Sequence, residues 1–130
     1  MEIRNILVKY WGYSSFRPLQ EDIIRSVLEG SDTLALLPTG GGKSICYQVP
    51  ALAMEGLCLV ISPLIALMKD QVENLKRRGI SAAAIHSGMH AREIDLVINN
   101  SVYGSLKFLY VSPERLATDT FRMNLRKMNV

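Results

Sequence analysis

The stretch from Leu34 to Ser44, reading LALLPTGGGKS, constrains this chain more than any other. The apolar run Leu34-Ala35-Leu36-Leu37 predicts a short buried strand. Pro38 and Thr39 follow it, then three consecutive glycines, Gly40-Gly41-Gly42, and the loop closes on Lys43-Ser44. Glycine tolerates positive φ and has no Cβ, so such a loop can turn sharply and point successive backbone N–H groups into one concavity. Donors at the start of a helix suit an anion, and Lys43 adds a mobile positive charge for the outer phosphates. Ser44 places a hydroxyl where a phosphate-bound Mg²⁺ takes an oxygen ligand. The general pattern, G-x-x-x-x-G-K-[ST], asks for glycine where this chain has Leu37; the departure leaves the working atoms of Gly40, Gly41, Gly42, Lys43 and Ser44 in place. Strand, loop and helix fall in the required order, which argues against a surface turn that binds nothing.

Helices and strands alternate around this loop. Ile3, Ile6, Leu7 and Tyr10 at helical spacing predict a helix over residues 1–13, ended by Gly12. Pro18 at a first helical position predicts a second helix, with Glu21 and Asp22 in its first turn and Gly30 as its stop. Leu19, Ile23, Ile24, Val27 and Leu28 form its buried stripe, and Gln20 projects into the middle of that stripe. A buried amide costs free energy unless it is hydrogen-bonded. The residues leave two partners open for it: a backbone group of the neighbouring loop, or the edge of an adenine. Further on, the pattern predicts a helix over 43–54 bent at Pro50, a strand over 57–61, and a helix from Ser62-Pro63 to Arg78. Leu64, Met68, Val72 and Leu75 are its inward face. Then come a strand over 81–85, a loop at His86-Ser87-Gly88, a helix over 91–99, a strand over 107–111 ending in Ser112-Pro113, and helical turns over 114–128. This alternation predicts an α/β fold, a four-stranded parallel sheet with helices on both faces.

At 130 residues the chain is one domain's worth. Its 48% hydrophobic and 21% charged residues describe an ordinary globular protein. No apolar run approaches a membrane span and no signal-peptide block opens the chain, so the expectation is no membrane partner and a cytoplasmic location. Cys46 and Cys58 read as reduced, largely buried thiols. The net charge of +3 permits a polyanionic partner. Ligands of parallel α/β sheets gather at the carboxyl ends of strands. Besides the glycine loop, two such ends carry helix-start chemistry, Ser62-Pro63 and Ser112-Pro113. Each could hold a nucleic-acid phosphate without reading a base, or could simply cap a helix. Lys76-Arg77-Arg78 reads as a solvated cluster at a helix C-terminus. His86 and His90 lack a partner at metal spacing and read as loop residues.

These residues resemble the N-terminal part of the first RecA-like domain of RecQ-family superfamily 2 DNA helicases. Four segments carry the likeness: Tyr13 with Phe16-Arg17-Pro18-Leu19-Gln20; Pro38 to Ser44 continuing through Cys46-Tyr47-Gln48-Val49-Pro50; Ser62-Pro63-Leu64-Ile65-Ala66-Leu67-Met68-Lys69-Asp70-Gln71; and Ser112-Pro113-Glu114-Arg115-Leu116. The likeness covers almost the whole chain, and makes residues 1–130 a truncated P-loop NTPase fold. It implies that Gln20 reads adenine, that Tyr13 and Arg17 brace the ring, and that Pro38, Thr39 and the three glycines wrap the phosphates. It further implies that Lys43 holds the outer phosphates, that Ser44 ligates Mg²⁺, and that ATP is the cofactor. Ser62, Pro63, Leu64 and Lys69, with Ser112, Pro113, Glu114 and Arg115, would touch single-stranded or duplex DNA. The whole enzyme would unwind DNA 3′-to-5′ at the expense of ATP, in the cytoplasm or, in a bacterium, on the nucleoid.

The family's Asp-Glu-Ala-His box, which follows the Ser-Pro-Glu-Arg segment, lies past Val130, as does its second RecA-like domain. Val130 is therefore expected to be a boundary inside a longer protein. The chain itself is expected to bind nucleotide weakly and not to hydrolyse it. A sheet cut at this point leaves a strand site unpaired, which predicts marginal stability or self-association. Two other classes stand beside this reading. A small P-loop kinase would begin at its P-loop strand, whereas a long segment precedes it here. A non-catalytic nucleotide- or nucleic-acid-binding module would keep the loop as a relic.

Overall fold

A computed structural model describes residues 2–37 and 43–130. They form two compact units, one ending at Glu55 and the other running from Gly56 to Val130. Pro38, Thr39, Gly40, Gly41 and Gly42, the body of the expected phosphate loop, lie outside the described residues.

The first unit is helical: α1 (Ile3–Trp11), α2 (Gln20–Leu28) and α3 (Ile45–Ala53). Ile3, Ile6 and Leu7 of α1 meet Ile24 of α2 and Ile45 and Val49 of α3 in one buried cluster. The helical spacing of these residues puts each set on one face, so a three-helix core closes. Gly12 ends α1 in the left-handed region at φ 74°, its N–H reaching Leu7 O and Val8 O.

α2 begins two residues later than its proline suggests. Gln20 N–H donates to Arg17 O at 3.1 Å, and Leu19 sits at φ 71°. Arg17-Pro18-Leu19-Gln20 is therefore a type II turn, with proline at its second position and a positive φ at its third. Leu19, 58% exposed, points away from the stripe expected to contain it. Pro18 organises the turn before the helix rather than the helix itself.

The second unit holds a parallel sheet. β1 (Cys58–Ile61), α4 (Ile65–Arg77), β2 (Ala82–Ile85), α5 (Ala91–Tyr103), β3 (Phe108–Val111), α6 (Pro113–Leu116) and α7 (Asp119–Leu125) follow in order. The strand order is β1-β3-β2, with Cys58 and Ala82 both level with Phe108, and Ile61 and Ile85 level with Val111. β3 lies in the middle and is buried along its whole length. Its side chains alternate between faces. Leu109 and Val111 join Ile85, Ile98 and Phe121 in a core shared with α5 and α7. Tyr110, on the other face, reaches Gln71 of α4 with its hydroxyl at 3.5 Å. Helices thus cover both faces, as the unbroken apolar strands require.

The expected strand at Leu34–Leu37 does not form, and the sheet has three strands among the described residues rather than four. A strand exists only through a neighbour that takes its backbone groups, and this segment has none among the described residues. Leu34 and Leu36 are 86% and 81% exposed instead of buried. α4 starts at Ile65 rather than at Pro63, leaving Leu64 outside it and 60% exposed, not inward. Met68, Val72 and Leu75 do face inward. No helix among the described residues is long and apolar enough to cross a membrane.

The chain's last residues close against the start of β1. Leu57 N–H donates to Asn129 O at 2.7 Å, and Lys107 Nζ donates to Gly56 O at 2.8 Å. Gly56 adopts φ +95°, and a Cβ there would stand 2.5 Å from Asn129 O. Gly56→Ala should therefore lower the unfolding free energy of this unit by about 1–3 kcal/mol, read from the urea midpoint.

Candidate nucleotide-binding site

The residues expected to hold a base converge on the turn before α2. Gln20 is only 2% exposed, and its Oε1 accepts from the Arg17 backbone N–H at 2.8 Å. With the Gln20 N–H to Arg17 O bond, the two residues are tied reciprocally. Of the two partners the sequence left open, the loop backbone is the one present.

That amide forms part of the wall of a cavity of about 400 Å³, lined also by Gly12, Tyr13, Ser14, Ser15, Arg17 and Ile45. The volume is within the range of small-molecule sites, about 300–1,000 Å³. Tyr13, at 49% exposure, and Arg17, also exposed, line the same space, so three of the expected base-binding residues are together. Ile45 is the first residue of α3, directly after Lys43 and Ser44, which joins the cavity to the end of the glycine loop. Lys43 O and Ser44 O already accept from Cys46 and from Tyr47 and Gln48, so both residues belong to the first turn of α3. Lys43 is exposed, and the Ser44 hydroxyl does not cap its own helix. Ile45, Ser14 and Ser15 were not singled out by the sequence; only adjacency to Lys43-Ser44 and to Tyr13 could have flagged them.

In the second unit, the two Ser-Pro junctions stand side by side. Ser62 N–H donates to Val111 O and Ser112 N–H to Ile85 O, so each leaves the same carboxyl end of the sheet. Their hydroxyls differ. Ser62 Oγ accepts from Leu64 N–H at 3.2 Å and shapes the approach to α4. Ser112 is 2% exposed, makes no capping bond, and its Oγ has no hydrogen-bond partner among the described residues. Pro113 opens α6 at its first position, as expected. Pro113, Glu114 and Lys69 are exposed, and half-buried Arg115 forms part of the wall of a separate cavity of about 280 Å³ with Ile85, Asp95 and Phe121. His86 and His90 lie in loops, and no group of three or more metal-ligating side chains occurs among the described residues.

Both cysteines are free thiols. Burial pushes the Cys46 thiol above its ordinary value of 9.0. Burial also raises Cys58, with nearby Lys107 pulling the other way. A raised thiol pKa favours folding below the ordinary value, and that contribution is lost as pH climbs through the folded one. At pH 8 both thiols should react with iodoacetamide more slowly than an unfolded cysteine, and urea should abolish the difference.

Residues 17–130 match the DEAD/DEAH box helicase family. The chain belongs to that family. It is similar in particular to proteins named ATP-dependent DNA helicase RecQ: 49% identical to that of Haemophilus influenzae over 90% of this chain and 19% of that protein. The likeness is 47% to that of Bacillus subtilis, over 98% of this chain and 22% of that protein. It is 45% to that of Synechocystis, over 98% of this chain and 27% of that protein. The chain thus spans about a fifth to a quarter of the length of these curated relatives.

Proposed function

We propose that residues 1–130 are the ATP-binding opening part of the first RecA-like domain of a helicase that couples ATP hydrolysis to 3′-to-5′ unwinding of DNA. The buried Gln20 amide carries this reading. It borders a cavity shared with Tyr13 and Arg17, and α3 leads from that cavity back to Lys43 and Ser44. In it, Gln20 accepts from the N6 amine of adenine and donates to N7, while Tyr13 and Arg17 brace the ring. Pro38, Thr39 and Gly40 to Gly42 wrap the phosphates, Lys43 neutralises the outer ones, and the Ser44 hydroxyl ligates Mg²⁺. The metal, when bound, supplies charge stabilisation for phosphoryl transfer. The relatives' names speak for ATP and DNA as ligands. The Ser62–Lys69 and Ser112–Arg115 segments then meet the DNA backbone, which reads no base. Such a motor works in the cytoplasm, on the nucleoid in a bacterium. This chain by itself binds nucleotide weakly and does not turn it over.

Titration of the chain with ADP and with GDP, each with Mg²⁺, tests the assignment. ADP should bind more tightly. Gln20→Glu keeps an oxygen for the Arg17 N–H but loses the donor to N7, so it should cut the ADP preference about tenfold, roughly 1.4 kcal/mol. Equal affinity for the two nucleotides, or a preference that survives the substitution, would remove Gln20 as the base reader.

A further inference from the structure

The cavity of about 280 Å³ that Arg115 borders lies wholly within the second unit. Ile85, the last residue of β2, is part of its wall, and the Ile85 carbonyl accepts from Ser112 N–H at 3.2 Å. The cavity therefore adjoins the Ser112-Pro113 junction at the carboxyl end of the sheet. Ile85, Ile98 and Phe121 are buried and give it an apolar floor. Ala91 and Asp95, both exposed residues of α5, mark its mouth. Arg115 is half-buried, and its carbonyl accepts from the Thr118 hydroxyl at 2.7 Å, while the same hydroxyl accepts from Phe121 N–H at 3.3 Å. The main chain at Arg115 is thus tied to the helix that supplies the floor. Its guanidinium and the Asp95 carboxylate line one cavity, yet neither forms a hydrogen bond or an ion pair among the described residues. A guanidinium drawn partly out of water wants an acceptor, and a carboxylate can only accept.

A ligand suited to these walls has a flat apolar body, an acceptor for Arg115 and a donor for Asp95. A nucleobase has all three. We propose that this cavity takes one unstacked base of a single DNA strand, with Asp95 accepting from the exocyclic amine of the base and Arg115 donating to one of its acceptors. The inference rests on the reading of Ser112–Arg115 as a DNA-contact segment and deepens it. Contact with the backbone reads no base, whereas a base set between Arg115 and Asp95 is read at its edge. The volume lies at the low end for small-molecule sites and suits one ring system. A base inside a duplex cannot enter, because only an unstacked base presents its faces and its pairing edge together. Thymine alone among the four DNA bases has no exocyclic amine, and a carboxylate is the side chain that pairs with the N4 amine of cytosine. Asp95 therefore favours cytosine over thymine.

Fluorescence anisotropy of the 130-residue chain with labelled oligo-dC and oligo-dT of equal length tests it. The two strands carry the same backbone charge, so the ratio of their affinities reports the base. Oligo-dC should bind about tenfold more tightly, the worth of one hydrogen bond to a charged acceptor. Asp95→Ala removes the acceptor, and Ala91→Phe fills the mouth while keeping Asp95. Each should bring the ratio to one, with the thermal unfolding midpoint unchanged, since both positions are exposed. Arg115→Ala should weaken binding of both strands. Equal affinity of the unaltered chain for the two strands, or a preference for oligo-dC that survives either α5 substitution, overturns the base site and leaves the DNA reading standing. Binding of neither strand overturns both.

Discussion

A strand holds its place only through its neighbours, and in this molecule β3 supplies both sides. Phe108 to Val111 accept pairing from β1 on one edge and β2 on the other, while their side chains meet α4 on one face and α5 and α7 on the other. Every residue of β3 is buried, so the sheet has no other place from which its hydrogen bonds and its core can both be organised. The two Ser-Pro junctions owe their adjacency to it. Ser112 is the residue after β3, and Ser62 is held beside it by the Val111 carbonyl.

The helical unit depends on a smaller device. The type II turn at Arg17-Pro18-Leu19-Gln20 asks a leucine to adopt a left-handed backbone, at a cost of about 1–2 kcal/mol. Two reciprocal hydrogen bonds between Arg17 and Gln20 offset that cost and bury the Gln20 amide beside the cavity. Gln20 lies at the wall of the cavity that Tyr13 and Arg17 also line.

Much of this was legible in the sequence. A period of 3.6 gave α1 and α4 with Met68, Val72 and Leu75 inward, and continuous apolar runs gave strands within a residue of β1, β2 and β3, because each pattern is enforced by burial. The amide of Gln20 was legible as buried and bonded. What failed did so where local preference and tertiary pairing disagree. Leu34–Leu37 has the composition of a strand, but composition supplies no neighbour. Pro18 suits a helix start, yet it suits the second position of a turn equally well, and the Arg17–Gln20 bonds select the turn. Ser62 looked like a helix cap and instead bonds Leu64 N–H before the helix begins. The glycine loop was the strongest signal in the chain and lies outside the described residues, so its reading rests on residue chemistry.

The tie between Gln20 Oε1 and the Arg17 N–H has a kinetic side. A free glutamine gives up roughly 1.5–2 kcal/mol of rotamer freedom when it is ordered. Here that ordering is completed as the polypeptide folds, with the carboxamide plane already set by the turn. A base read in the proposed way would meet a polar edge already oriented by the Arg17 N–H. Discrimination between one heterocycle and another would then come from how long each stays, not from how fast each arrives.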